Sequence, residues 1–180
     1  MTATACRLLP SPRAATGAGA AIVALVAMAA LAAPASAQTG CTPSRTLPNG
    51  AVELDCGTGL TIVVEASTRY RVEAASGRVD RLVVERGAAL VDFERPGGFQ
   101  ILTPRAVASV RGTTWAVDVT RASTAVFTLS GAVAVTPRAG GTGVVLRAGE
   151  GTDVGAGPAR LRAFRWGAMR RQRLLARLGQ

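Results

Sequence analysis

Two cysteines and a C-terminal run of arginines are the residues of this sequence whose types and spacing can do chemistry. Cys41 and Cys56 are separated by 15 positions, and Cys6 stands alone near the N-terminus. A metal site is disfavoured because the chain has no His and a cysteine pair supplies too few ligands for zinc. In an exported chain an even pair of cysteines is most simply a disulfide. We therefore predict a structural bridge between Cys41 and Cys56.

The composition excludes several enzyme classes. All 21 basic residues are Arg, and the chain contains neither Lys nor His. Without His there is no Ser-His or Cys-His relay, and without Lys there is no Schiff base and no phosphate-loop lysine. The glycines at 140–143 follow a predicted strand but open no helix, so turns explain them. We expect a protein that is not an enzyme, with no catalytic residues, metal or cofactor.

Residues 1–37 have the pattern of a secretory signal peptide. Two arginines precede an apolar run at 17–33, and Ala35-Ser36-Ala37 has the small-x-small form that signal peptidase cleaves. We expect cleavage before Gln38 and a periplasmic or secreted location. The alternative is a retained membrane anchor, although the run is slightly short for a span of about 20 residues.

The positive charge is concentrated at the C-terminus. Residues 38–159 hold 12 Arg and 11 acidic residues, whereas residues 160–180 hold seven Arg and no acidic residue. The body is therefore nearly neutral, and the sequence pI of about 11.5 does not indicate a nucleic-acid-binding domain. Export also disfavours nucleic acid as a partner.

The body, residues 50–155, reads as an all-β domain after a turn-rich lead-in at 38–49. Short Val-rich runs start about every 8–12 residues between Gly, Pro and Ser-Gly breaks, which is typical of a sandwich or barrel. From Trp115 to Val119 the odd positions are apolar and Asp118 faces away. We predict strands at 51–54, 60–65, 69–73, 81–85, 89–93, 99–103, 107–110, 114–120, 125–129, 132–136 and 144–147.

Part of this body resembles a known family. Three motifs are similar to the signature of the FecR-type periplasmic domain family. They are an apolar strand that ends in Thr-Pro, a Val-Arg-Gly-Thr motif before an aromatic residue, and a later Leu-x-x-Gly-Glu motif. Ser130 stands where the family usually has Glu. The likeness covers roughly residues 50–155 and implies a jelly-roll-like β-sandwich of short antiparallel strands outside the cytoplasm. The matching positions are Thr103, Pro104, Val110, Arg111, Gly112, Thr113, Gly131, Gly149 and Glu150.

The residues of this motif also have a structural interpretation. Gly112 allows a tight bend between two strands, and Arg111 could reach carbonyls or a carboxylate such as Asp118 or Glu150. We interpret the motif as a corner of the sandwich in preference to a ligand site.

The resemblance implies a sensing or scaffold role. The best-known members are inner-membrane regulators, with a cytoplasmic segment that controls a sigma factor and a periplasmic part that responds to an outer-membrane receptor. Only 16 residues precede the apolar run here, without the Trp-rich helical segment expected of the cytoplasmic part. We expect an exported protein that binds another protein or an envelope component such as the cell wall. The alternative is a membrane-anchored regulator of transmembrane signalling or sigma-factor activity.

The tail at 159–178 is predicted to form a basic amphipathic helix. Three interpretations stay open, in this order: packing on an open end of the sandwich, contact with an anionic membrane surface, and contact with an acidic partner or nucleic acid. The apolar side carries Leu161, Phe164, Ala168, Leu175 and Leu178, and the candidate surface-binding residues are Arg162, Arg165, Arg170, Arg173 and Arg177.

Overall fold

The structure is a computed structural model that describes residues 40–57, 59–94 and 98–180. The predicted signal peptide at 1–37 lies outside the described residues. In the described part the chain forms fifteen strands followed by one C-terminal helix. The predicted fold class, an all-β sandwich with a helix at the C-terminus, is confirmed.

Most of the predicted strands are present with ends shifted by one or two residues. The strands are β1 Thr42–Thr46, β2 Val52–Asp55, β3 Leu60–Val64, β4 Arg69–Ala75, β5 Arg78–Phe93, β6 Phe99–Leu102, β7 Ala106–Val110, β8 Thr113–Val119, β9 Thr124–Ser130, β10 Ala132–Pro137, β11 Gly141–Thr142, β12 Val144–Arg147, β13 Glu150–Val154, β14 Ala159–Arg160 and β15 Phe164–Arg165, and the helix is α1 Ala168–Arg177.

These strands form two facing sheets. Sheet A has the order β1-β2-β3-β5-β8-β9-β13-β15, and sheet B has the order β4-β5-β6-β7-β10-β12. Neighbours within both sheets are antiparallel except for β5 and β6, which are parallel. The short strands β11 and β14 form a separate parallel pair.

Strand β5 belongs to both sheets, so the prediction of two strands at 81–85 and 89–93 is wrong. Its first half pairs with β4 and β6, and its second half pairs with β3 and β8. Gly87 lies at the change of sheet with φ +97°, and a Cβ there would approach the Thr68 Cα to 2.7 Å. Because β5 continues as one strand from Arg78 to Phe93, the chain passes from sheet B to sheet A at Gly87 without forming a turn.

Two strands longer than two residues, β1 and β13, were not predicted because their sequences lack an apolar alternation. All five residues of β1 are exposed, so this edge strand, within the predicted lead-in, is defined by its pairing with β2. Strand β13 begins with Glu-Gly-Thr-Asp and is held by its pairing with β9. Backbone pairing, which side-chain pattern does not reveal, determines both strands.

The main core lies between the two sheets. Leu, Ile, Val and Ala side chains from both sheets fill it, and three aromatic rings pack within it. The Phe99 ring lies 5.6 Å from that of Phe93 and 5.9 Å from that of Trp115, between ring centroids. The tilted and edge-on arrangements are those that aromatic pairs prefer.

The C-terminal helix is shorter than predicted, because α1 begins at Ala168 and not at residue 159. Residues 159–160 and 164–165 form the strands β14 and β15, which pair with β11 and β13. Strand pairing therefore outweighs the helical periodicity of this segment. Helix α1 packs on the outer face of sheet A, not on an open end of the sandwich, and forms a third layer there. Helix α1 is the only helix in the described part of the chain, and it is not long and apolar enough to cross a membrane.

Candidate interaction surfaces

The predicted disulfide between Cys41 and Cys56 is present. It joins the start of β1 to the end of β2, next to the paired residues Thr42 and Asp55. The bridge therefore fixes an edge strand whose own side chains are all exposed. This is a structural role, as the sequence indicated.

Replacing both cysteines by Ser should lower the free energy of unfolding by about 2–4 kcal/mol, because a loop of this size restricts the unfolded chain. Chemical denaturation of the double variant and the oxidised wild-type protein measures the difference. Wild-type protein under reducing conditions is the control and should behave like the double variant. An unchanged denaturation midpoint in both would contradict a stabilising bridge.

Thr103 and Pro104 form the corner between β6 and β7. The Thr103 hydroxyl is buried, donates to the carbonyl oxygen of Ala106 at 3.0 Å and accepts from its backbone N–H at 2.9 Å. It also accepts a hydrogen bond from the Thr124 hydroxyl at 3.0 Å, while Arg138 donates to the Thr103 carbonyl oxygen at 3.2 Å. With its hydrogen bonds made inside the domain, this corner supports the fold.

The Val-Arg-Gly-Thr motif forms the second corner, between β7 and β8. Gly112 has φ +58°, and the buried Thr113 hydroxyl lies 3.1 Å from the carbonyl oxygens of Arg111 and Ala132. Gly131, with φ +75°, packs against this corner, since a Cβ on it would lie 2.7 Å from the Thr113 hydroxyl oxygen. The corner and the β9–β10 turn are thus packed together.

Gly131→Ala should destabilise the protein by about 2 kcal/mol more than Gly112→Ala. Both positions have positive φ, which costs an alanine about 1 kcal/mol, but only Gly131 also lacks space for a Cβ. Thermal unfolding of the two variants compares them directly. Equal melting temperatures of the two variants would contradict the close packing of Gly131 against Thr113.

Gly149 and Glu150 close the turn between β12 and β13. Gly149 has φ +82°, and the Glu150 carboxylate accepts a hydrogen bond from the backbone N–H of Arg147 at 2.8 Å. The Gly149 carbonyl oxygen accepts from the backbone N–H of Trp166 at 3.2 Å. This turn therefore also anchors the start of the C-terminal segment.

Arg111 is not the partner of either carboxylate that the sequence suggested. Its side chain is exposed, Asp118 is bonded by Arg177, and Glu150 is engaged by the Arg147 backbone. Arg111 instead lies at the margin of a groove on sheet B.

An acidic row on sheet A receives the helix. Glu65, Asp118 and Asp153 follow one another across the outer face of the sheet. The backbone N–H of Glu65 donates to the carbonyl oxygen of Ala88, which lies opposite Asp118 on the neighbouring strand. Ala125, on the next strand, lies between Asp118 and Asp153 and is paired with both. Helix α1 presents one row of arginines to them. The members of this arginine row are Arg170, Arg173 and Arg177.

Two arginines of this row make specific ion pairs. Arg177 donates to both carboxylate oxygens of Glu65, at 2.9 and 2.8 Å, and to Asp118 at 2.8 Å. Arg170 binds both oxygens of Asp153, and its guanidinium lies 3.7 Å from the centre of the Trp166 ring. The ion pairs of Arg170 and Arg177 therefore hold helix α1 on its own domain.

The Arg177 hydrogen bonds hold the pKa of Glu65 below its ordinary value, and they raise the pKa of Arg177 itself. A carboxylate whose pKa is lower in the folded state stabilises the protein above its unfolded pKa. That contribution is lost as the pH falls through the folded value. The ion pair should therefore stabilise the protein at neutral pH and lose its effect in acid.

Arg177→Met should lower the free energy of unfolding by about 1–2 kcal/mol at pH 7. This is less than a fully buried ion pair would lose, because the Arg177 side chain is 35% exposed and solvent screens its charge. The difference from wild type should shrink as the pH falls from 5 to 3. Urea denaturation across this range measures it. Arg173→Met, which removes no ion pair to a described residue, is the matched control, and a pH-independent loss in Arg177→Met would contradict the assigned role.

The apolar contacts of the tail differ from those of the predicted helical wheel. Leu174, Leu178 and Trp166 are buried on sheet A, and Phe127 stacks on Trp166 with ring centroids 4.9 Å apart. Phe164, expected on the apolar side, is 42% exposed. Sequence reasoning missed Trp166 and Leu174 because it assumed one continuous helix from residue 159.

Sheet B differs from sheet A because no described element covers its outer face. The register places Gln100, Ser109, Ala134 and Val145 side by side on four neighbouring strands. A shallow groove of about 420 Å³ runs over them, and Val145 is 58% exposed. We call this the sheet B groove, lined by Gly98, Phe99, Gln100, Ser109, Val110, Arg111, Ala132, Ala134 and Val145.

The model of the family described as FecR protein matches residues 43–134, just over half of the chain. The chain belongs to the FecR family. The FecR match runs from β1 into β10, so the closing strands β12 and β13 and helix α1 lie beyond it. Both Thr-Pro and Val-Arg-Gly-Thr corners lie within it.

Two crystal structures of a candidate anti-sigma factor from Parabacteroides distasonis ATCC 8503, at 2.50 and 1.65 Å resolution, are similar to this FecR-family chain. They show 21% and 22% sequence identity with TM-scores of 0.47 and 0.48, and each match covers 77% of this chain. The chain spans 61% of the length of these structures. No curated protein matches the chain.

Proposed function

We propose that this FecR-family protein is a non-enzymatic, exported binding domain that docks another protein or an envelope component in the sheet B groove. The observation that carries the proposal is the difference between the two outer faces. Helix α1 covers sheet A with apolar contacts and ion pairs, whereas sheet B keeps an apolar, small-residue surface open. Open apolar surface of this kind is a common feature of interaction sites.

The groove has the composition of a docking surface. Ala132 and Ala134 present small side chains, so a partner can approach the backbone of β10 closely, while Val145 offers apolar contact area. Arg111 at the margin can donate several hydrogen bonds in a fixed geometry, which favours it at interfaces. Among the described residues Arg111 makes no ion pair, and in this proposal its guanidinium pairs with an acidic or carbonyl group of the partner.

The polar groups elsewhere support a binding role over catalysis. The acidic row is engaged by arginines of α1, and the Thr103 and Thr113 hydroxyls bond within the corners. In the described ranges there is no cluster of three or more His, Cys, Asp or Glu side chains. The motif residues therefore act in this proposal as supports of the fold.

Export is part of the proposal. A structural disulfide persists in oxidising compartments, and FecR domains are typically periplasmic. The signal pattern at 1–37 provides the route. The proposed location is the periplasm or the extracellular space.

Capture from envelope extract tests the groove with two matched variants. Ala134→Arg places a long charged side chain in the sheet B groove, and Ala139→Arg makes the same change at an exposed turn outside it. Wild type and Ala139→Arg should retain the same envelope component. Ala134→Arg should retain at least tenfold less of that component, and its melting temperature should be the same as that of wild type. Equal retention by both variants would contradict the groove as the binding site.

The second candidate function is a membrane-anchored regulator of transmembrane signalling or sigma-factor activity, favoured by the apolar run at 17–33 and by the family. It requires that this segment remains on the protein. The intact mass of the protein isolated from its own cells separates the two candidates. A chain that starts at Gln38 supports the exported domain, and a chain that starts at Met1 supports the anchored regulator.

A further inference from the structure

Four arginines lie at one end of the sandwich and make no ion pair with a described residue. Arg86 lies on β5 beside Gly87, and Arg105 follows the Thr-Pro corner. Arg121 lies in the turn between β8 and β9, and Arg138 directly follows β10. The ion pairs between described residues use other arginines. This end of the domain therefore carries positive charge that the ion pairs do not neutralise.

Contacts between neighbouring loops show that these arginines share one end. The Arg105 guanidinium donates a hydrogen bond to the carbonyl oxygen of Arg121 at 2.9 Å. The backbone N–H of Arg138 donates to the carbonyl oxygen of Arg105 at 2.8 Å. Arg86 and Arg121 line the same groove, which has a volume of about 390 Å³. We call the set of Arg86, Arg105, Arg121 and Arg138 the basic end.

The acidic side chains beside the basic end are already paired. Glu65 and Asp118 line its groove, and both accept hydrogen bonds from Arg177. Glu85, which precedes the first of the four arginines, is bonded by Arg71 at 3.3 Å. Since arginines without a counter-charge repel one another, an anion bound across this end would lower their electrostatic energy.

Backbone carbonyls hold two of the four guanidinium groups in place. Besides the bond from Arg105 to Arg121, Arg138 donates to the carbonyl oxygen of Thr103 at 3.2 Å. Each of these bonds uses one of the five N–H donors of a guanidinium, so donors remain for an oxyanion. A side chain whose position is already fixed also loses less conformational entropy when it binds.

The surroundings of the basic end indicate the chemical class of its ligand. The exposed large hydrophobic residues of the described chain are Val145, Phe164 and Met169, and none of them belongs to the loops of this end. Protein partners are typically anchored by apolar or aromatic side chains, which this end does not offer. Guanidinium groups pair with phosphate and carboxylate oxygens in the same forked geometry. A flexible chain that repeats such groups can reach arginines on separate loops.

We propose that the basic end binds a linear polyanion, a chain with repeated phosphate or carboxylate groups. Several weak ion pairs along one chain give a tight complex, because each contact raises the effective concentration of the next group. The basic end is separate from the sheet B groove, since Arg105 precedes β7 and Arg111 of the groove follows it. This binding site is therefore additional to the function proposed above.

Isothermal titration calorimetry of the purified protein tests this inference with long-chain polyphosphate, alginate and inorganic phosphate. We expect at least one of the two polymers to bind. Inorganic phosphate should bind about 100-fold more weakly, compared at the same concentration of anionic groups. The two polymers distinguish a phosphate chain from a carboxylated polysaccharide. Polymer binding should weaken steeply as the salt concentration rises.

The double variant Arg86→Gln and Arg121→Gln should bind the polymer about tenfold more weakly than wild type. The slope of log K against log salt should fall by about 1.4, because two fewer contacts release counterions. The control is Arg78→Gln and Arg171→Gln, which removes the same charge from exposed positions near the start of β5 and the end of β9. The control should change binding less than about twofold. These four side chains make no hydrogen bond with a described residue, so both variants should melt like wild type.

The proposal is overturned if wild type binds neither polymer, or if inorganic phosphate binds as tightly as the polymers. It is also overturned if the control double variant loses as much binding as the test variant. Ala134→Arg, which blocks the sheet B groove, should bind the polymer at least as tightly as wild type, so the basic end and the sheet B groove can fail independently.

Discussion

Removal of residues 160–180 should lower the free energy of unfolding by about 5 kcal/mol or more, because the deletion uncovers the outer face of sheet A. Leu90, Ala116 and Phe127 would lose the contacts of Trp166, Leu174 and Leu178. Loss of a single buried Leu or Trp side chain typically costs about 2–5 kcal/mol, and the ion pairs of Arg170 and Arg177 disappear as well. Circular dichroism during urea denaturation measures the loss.

Two point variants test whether the buried side of the C-terminal segment, and not its outward side, stabilises the domain. Leu178→Ala removes a fully buried side chain and should cost about 2–4 kcal/mol, whereas Met169→Ala, on the outward side, should change stability by less than about 0.5 kcal/mol. If the truncated protein melts like wild type, the helix is not a structural layer of the domain and its packing on sheet A is wrong.

Gly151→Ala should destabilise the protein by about 3 kcal/mol, because Trp166 occupies the space that a methyl group would need. A Cβ at this position would overlap the Trp166 indole and lie 2.6 Å from the carbonyl oxygen of Val126. Overpacking at a rigid site costs about 1–3 kcal/mol, and displacement of the indole would also break its stacking on Phe127. The melting temperature and the fluorescence of Trp166 should both change.

Gly155→Ala is the matched control for this variant. No atom lies within 4 Å of a Cβ at Gly155, so the substitution should leave stability within about 0.5 kcal/mol of wild type or raise it slightly. Equal stability of Gly151→Ala and Gly155→Ala would mean that Trp166 does not lie over Gly151.

Most of the sandwich could be predicted from the sequence because its inner strands alternate apolar and polar residues. Strands β6, β7 and β10 carry this pattern, and all the strands from β6 to β10 were predicted with small errors at their ends. The disulfide and the glycine corners were also accessible, since cysteine pairing and tight turns depend on a few local residue types. The exposed strand β1 was not accessible, because it is defined by its partner and not by its side chains.

The acidic row and its arginines could not be predicted because they depend on strand order. Glu65, Asp118 and Asp153 are far apart in the sequence, and only the neighbours β3, β5, β8, β9 and β13 of sheet A bring them into line. A partial signal was present, since Asp118 faces away from the apolar positions of its strand. The helix was predicted to start too early for a similar reason, because β15 needs a partner strand that the sequence does not identify.

We propose that the sheet B groove binds a partner, while the chain's own helix closes sheet A. Site-specific photo-crosslinking in producing cells tests it most directly, with a photoreactive amino acid at Ala134 in the groove or at Ser44 on the exposed strand β1. We predict a discrete crosslinked product from position 134 and none from position 44. No product at position 134, or the same product from both positions, would contradict the account.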